Sequence, residues 1–192
     1  MARTFNEIFA DLKADKIKGI MYHEQFRNAF NLLNLGGFKR WQEFRLGKET
    51  KELIDINRFF IEEYGMLIDE NPVSDPKAVP KSWYGVARMR IDNSTIQKAV
   101  RDIFDSWCEW EEYVQSNLEK YFKELTEINE ISAANFINEL ICGNDEELKY
   151  IKRVKMKLKN VDYDLVYITL VQDKMHDYYK DKMKDIFWED IF

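Results

Sequence analysis

Two glutamates three residues apart, Glu49 and Glu52 in "GKETKELI", fall within a segment of helical periodicity, where that spacing puts them on one face. The same face carries Trp41, Arg45, Leu53, Ile56 and Phe60, so both carboxylates point where apolar side chains belong. Glu111 interrupts a later stripe between Trp107 and Val114, while Lys16 and His23 fall in line with Leu12, Ile20 and Phe30. Glu146 joins this group if the edge formed by Glu139, Gly143 and Glu146 turns inward. Carboxylates and an imidazole projecting from facing helices are ligands for hard or borderline cations, iron among them. Buried carboxylates otherwise need protons or a basic partner. Each feature also has a plainer reading: Glu49 and Glu52 as a solvated pair, His23 as a hydrogen-bonded core histidine, Lys16 as an ammonium on a buried stem that reaches water. Glu109, Glu112, Glu124 and Glu127 read as surface residues.

Such groups need long helices to place them. Apolar stripes predict helices over about Phe5 to Leu33, Phe38 to Tyr64, a third opened by a Ser94–Gln97 capping box, Ala133 to Leu158, and a shorter fifth from Asp164 to Ile186. "NLGG", Asn34 to Gly37, is expected to end the first through glycine's left-handed conformation. Pro72, Pro76 and Pro80 share one segment, which must be a connection. Helices of this length reach about 40 Å at ~1.5 Å per residue, and only the long middle link can carry the chain from end to end. The expected fold is all-α: one domain, residues 1–192, with a four-helix bundle over about 5–158, one long crossover, and a fifth helix over about 162–190.

The 192-residue chain suits a single core, and its 45% hydrophobic content argues against disorder. A net charge of −6 with no basic patch standing out disfavours a nucleic-acid binder and suits a cation partner. Cys108 and Cys142 share no metal or redox spacing and read as buried free thiols of a reducing compartment. The start, "MARTFNEIFADLKADK", lacks a signal-peptide core, and no apolar run approaches the roughly 20 residues of a membrane span. A soluble cytoplasmic protein is expected.

From "NLGGFKRW" through "FFIEEYGMLI" to "AANFINELICGNDEEL", the sequence resembles the non-haem ferritin family, over roughly Ile8 to Leu158. That resemblance implies a subunit of a twenty-four-membered shell that takes up ferrous ions and stores ferric mineral, with non-haem iron and no organic cofactor. It also implies a di-iron ferroxidase site, where paired ferrous ions are oxidised. Position by position, the Glu-x-x-His of the family's second helix falls on Glu49 and Glu52, so glutamate replaces histidine. The third-helix glutamate falls on Glu111, or on Glu112 if the register slips. Glu146 matches a fourth-helix carboxylate whose partner position is Gly143. Lys16 replaces the first-helix glutamate, and His23 stands where the family has a tyrosine. The site is therefore divergent. Either Lys16 neutralises the Glu49, Glu52 and Glu111 cluster, as a basic residue does in the silent light-type subunits of animal ferritins, or His23 and the carboxylates hold one iron in a rearranged site. His176 and Tyr179 fall on the family's short final helix, as channel or interface contacts. The competing expectation is a structural or interaction module that kept the bundle and lost the metal, using its aromatic-rich C-terminus as an interface.

Overall fold

The computed structural model describes residues 3–74, 76 and 91–187, with side chains as far as residue 182. Five helices follow in order: α1 (Phe5–Leu32), α2 (Gly36–Tyr64), α3 (Asn93–Glu127), α4 (Ile131–Asn160) and α5 (Leu165–Phe187). There is no strand among the described residues. The expected bundle with a fifth helix is the one observed.

Local chemistry fixes the ends. Thr4 and Glu7 form a reciprocal capping box that starts α1. At α3 the expected Ser94–Gln97 box is replaced by Asp92, whose carboxylate accepts from the Thr95 N–H at 2.7 Å and from the Ser94 hydroxyl at 3.0 Å. An anionic acceptor suits the positive end of a helix better than a hydroxyl does. Between α1 and α2, Asn34 adopts the left-handed conformation at φ 60°, and both glycines of "NLGG" belong to α2. Gly37 answers a packing demand instead. A Cβ there would lie 1.6 Å from the backbone oxygen of Gln172 in α5, and the Gly37 N–H donates to Gln172 Oε1 at 2.8 Å.

The connection after α2 runs along α1. Ile68 is buried, the Asp69 N–H donates to Asn6 Oδ1 at 3.1 Å, Asn71 donates to Asp11, and the Pro76 carbonyl accepts from Gln25. From Asn6 to Gln25 is about 28 Å of helix, most of the bundle's length. The chain therefore re-enters at the far end, and α3 runs parallel to α2. Pro80 lies outside the described residues.

Two apolar clusters fill the bundle. One joins Phe26, Phe30, Phe38, Trp41, Phe104 and Trp107 near the α1–α2 turn; the other joins Phe9, Leu12, Ile56, Phe60, Leu118 and Ile137 at the opposite end. Between these clusters every helix of the bundle buries polar side chains: Lys16 and His23 on α1, Gln42, Arg45 and Glu49 on α2, Glu111 on α3, and Asn144 on α4.

Helix α5 lies beside α2 and runs in the same sense, with Gln172 against Gly37 and Tyr179 against Trp41 and Phe44. Tyr179 is 3% exposed and stacks on Trp41 at 5.8 Å, so this residue is consumed by its own chain's core and is not a channel or interface contact. His176 is half-buried beside Asp177. The side chains of Phe187, Trp188 and Phe192, part of the expected aromatic interface, lie outside the described residues.

Candidate functional site

The polar layer at mid-bundle is built on two cations. The Lys16 ammonium, on α1, reaches Glu49 Oε2 at 3.2 Å and pairs closely with Glu52. Arg45, one turn before Glu49 on α2, donates through Nη2 to Glu49 Oε1 at 3.0 Å and to both oxygens of Glu111 at 3.0 and 3.2 Å. Glu111 also accepts from the Trp107 indole N–H at 2.9 Å, one turn back on α3. At the edge, Arg45 and Lys48 approach Glu147 of α4 at 3.9 and 3.8 Å. Gly19 makes room for this arrangement, since a Cβ there would sit 3.2 Å from Glu49 Oε2.

Lys16, Arg45, Glu49 and Glu111 are all at most 4% exposed, yet the layer is charged. Burial pulls the Lys16 ammonium down, but Glu49 and Glu52 outweigh it and hold the group above its ordinary range. Burial pushes Glu111 up, and the Arg45 guanidinium, with the nearby His23 ring and the Trp107 hydrogen bond, reverses this, holding the carboxyl well below the usual range. Glu49 is lowered in the same way, against its burial, by Lys16 and Arg45.

His23 is fully buried, with Nδ1 2.8 Å from Gln42 Oε1 and Nε2 3.5 Å from Glu111 Oε1. It sits as a core histidine oriented by a side-chain amide. The stripe reading does not reach Gln42, which lies one residue off the α2 stripe and is nonetheless buried, with its amide oxygen against His23. Glu146 is exposed, which corrects the inward turn expected for it. The inward stripe of α4 is Ile137, Asn144, Ile151 and Leu158, a strict seven-residue spacing. Two residues past Asn144 is about 200° around the helix, whereas Glu147, three past, stays near the stripe. Asn144 donates to the Glu111 backbone carbonyl at 3.2 Å. Glu112, the alternative to Glu111, is exposed and pairs with Lys152 at 2.6 Å.

These residues do not fit an iron ion. Both oxygens of Glu49 and of Glu111 already accept from Lys16 or Arg45. A cation placed among them would face an ammonium and a guanidinium at contact distance in a poorly screened interior. Among the described residues no three histidine, cysteine, aspartate or glutamate side chains stand where they would share one metal ion. What the arrangement does is tie α1, α2 and α3 together across one layer and fix their register.

No family model and no curated protein matches the chain. Solved structures do. A humanized archaeal ferritin superimposes with a TM-score of 0.74 at 14% identity, over 90% of this chain and 94% of that one. An Archaeoglobus fulgidus ferritin engineered into a closed form gives 0.74 and 14% over 92% and 96%. The open-pore ferritin of the same hyperthermophilic archaeon gives 0.73 and 14% over 90% and 94%. At this identity the likeness is one of fold, and the fold is ferritin-like.

Proposed function

We propose that this chain is an oligomer-forming ferritin-like subunit whose bundle centre has exchanged redox iron for a permanent ion-pair layer. It would serve as shell or scaffold without ferroxidase activity. The observation that carries this reading is the pair of buried cations, Lys16 and Arg45, which neutralise the carboxylates expected to bind iron. Iron would then be cargo rather than a resident centre, oxidised by a separate active subunit or without catalysis. Self-association is supported by apolar residues on the outer face of α2: Ile54 and Ile61, seven apart, are 43% and 47% exposed, and Leu67 beyond them is 77% exposed. Two free thiols favour a reducing cytoplasm, and among the described residues no helix is long and apolar enough to cross a membrane.

Light scattering after size exclusion, with aerobic ferrous loading followed optically, tests both halves. The expected result is a large closed oligomer that oxidises ferrous iron at the buffer rate, unchanged in Glu49→Ala/Glu52→Ala. A monomer or dimer refutes the shell. Rapid oxidation that the double variant abolishes refutes the loss of chemistry.

A further inference from the structure

Away from the polar layer, an open cleft of about 300 Å³ lies between α4 and α5. That volume is at the lower end of small-molecule sites, which run from about 300 to 1,000 Å³. Its floor is aliphatic, from Val154, Val171 and Met175, of which Val154 and Met175 are 5% and 7% exposed. Tyr150, Tyr167 and Tyr178 supply aromatic surface on both walls. Arg153, Lys157 and Lys174 stand at its rim, all three exposed.

The rim cations differ from their neighbours on α4 in pairing, although Lys159 further along that helix is likewise without an ion pair among the described residues. On the same helix α4, Lys149, Lys152 and Lys155 each have a carboxylate partner, in Asp145, Glu112 and Asp105. Arg153, Lys157 and Lys174 form no ion pair among the described residues, although the chain as a whole carries a charge of −6. Three cations with no ion pair among the described residues therefore surround an apolar cleft on a protein of net charge −6. An apolar ligand alone would leave that charge unused, and a hydrophilic anion would leave the floor unused. Tyrosine faces favour a flat ring over an alkyl chain, since offset stacking adds to area burial.

We propose that the α4–α5 cleft binds an aromatic monoanion, with its ring between the tyrosines on the Val154, Val171 and Met175 floor and its anionic group at Arg153, Lys157 and Lys174. Titration calorimetry of the full-length chain with 2-naphthoate tests it, with 2-naphthamide as a neutral isostere. Saturation at one naphthoate per chain is expected, with the amide at least about tenfold weaker. Lys157→Gln and Lys174→Gln should each weaken naphthoate about two- to fivefold, and added salt should weaken it further. Val171→Trp, which fills the floor, should abolish binding while helix content and oligomer mass stay unchanged; if that variant misfolds, the two exposed lysine variants decide. Absence of saturation, as when a second copy or the chain's own last residues cover the cleft, overturns the proposal. Equal binding of acid and amide, or indifference to all three substitutions, overturns it too.

Discussion

Removing Arg45 is the severest perturbation of the polar layer that leaves the helices' own propensities intact. Arg45→Met keeps a long, flexible, apolar side chain but strips the shared donor from Glu49 and Glu111. Glu49 retains Lys16, whereas Glu111 retains only the Trp107 indole and the more distant His23. Breaking a buried pair by deleting one partner costs about 3–5 kcal/mol, because the remaining charge is stranded. For a chain of this size that corresponds to a fall in Tm of roughly 6–20 °C. Urea unfolding followed by circular dichroism, at fixed protein concentration, measures it. The pH dependence supplies a second check. In the native protein Glu49 and Glu111 are held below their unfolded value of about 4.3, so their stabilisation is complete above that pH and lost as pH falls through the folded values. In the variant, burial acts on Glu111 without the guanidinium and raises its carboxyl, so the folded state takes up a proton first. The penalty should therefore shrink between pH 7 and pH 5. Adding Glu111→Gln removes the stranded charge while an amide oxygen still accepts from Trp107, and should recover at least half of the loss. A single-variant cost under about 1 kcal/mol at pH 7, or a double variant no better than the single, would refute the ion-pair account.

Gly37→Ala should displace α5, since its Cβ would occupy the position of the Gln172 carbonyl; a loss of about 2–3 kcal/mol, with faster proteolysis within α5, is expected. Replacing Thr4 by alanine removes the α1 capping box and should cost about 1 kcal/mol, visible as faster amide exchange confined to the first turn. Thiol labelling should modify one cysteine per native chain: Cys142 is exposed, contrary to the burial expected of both thiols, while Cys108 is buried with its thiol pushed up to about 11, and both should react in denaturant.

Helical period alone located most of the layer. Lys16, Glu49 and Glu111 interrupt otherwise apolar stripes, and all three are buried. Arg45 was equally visible on the α2 stripe, but nothing in its spacing says that one guanidinium reaches across to α3. That bridge depends on helix packing, which a single helix's pattern does not encode. Glu146 failed for a different reason. The edge of Glu139, Gly143 and Glu146 competes in the sequence with the run of Ile137, Asn144, Ile151 and Leu158, and it is the second, which points to Glu147, that turns inward. The sequence places the α1–α2 turn but not its cause, since the need for Gly37 comes from a helix 135 residues later.

The claim that the bundle centre is neutralised by side chains, not by iron, meets its most direct test in a crystal soaked in ferrous salt and measured at the iron absorption edge. The account predicts no anomalous peak among Glu49, Glu52 and Glu111, with the Lys16 ammonium and Arg45 guanidinium in density between them. An iron peak bound to Glu49 or Glu111, with Lys16 or Arg45 swung away, would contradict it.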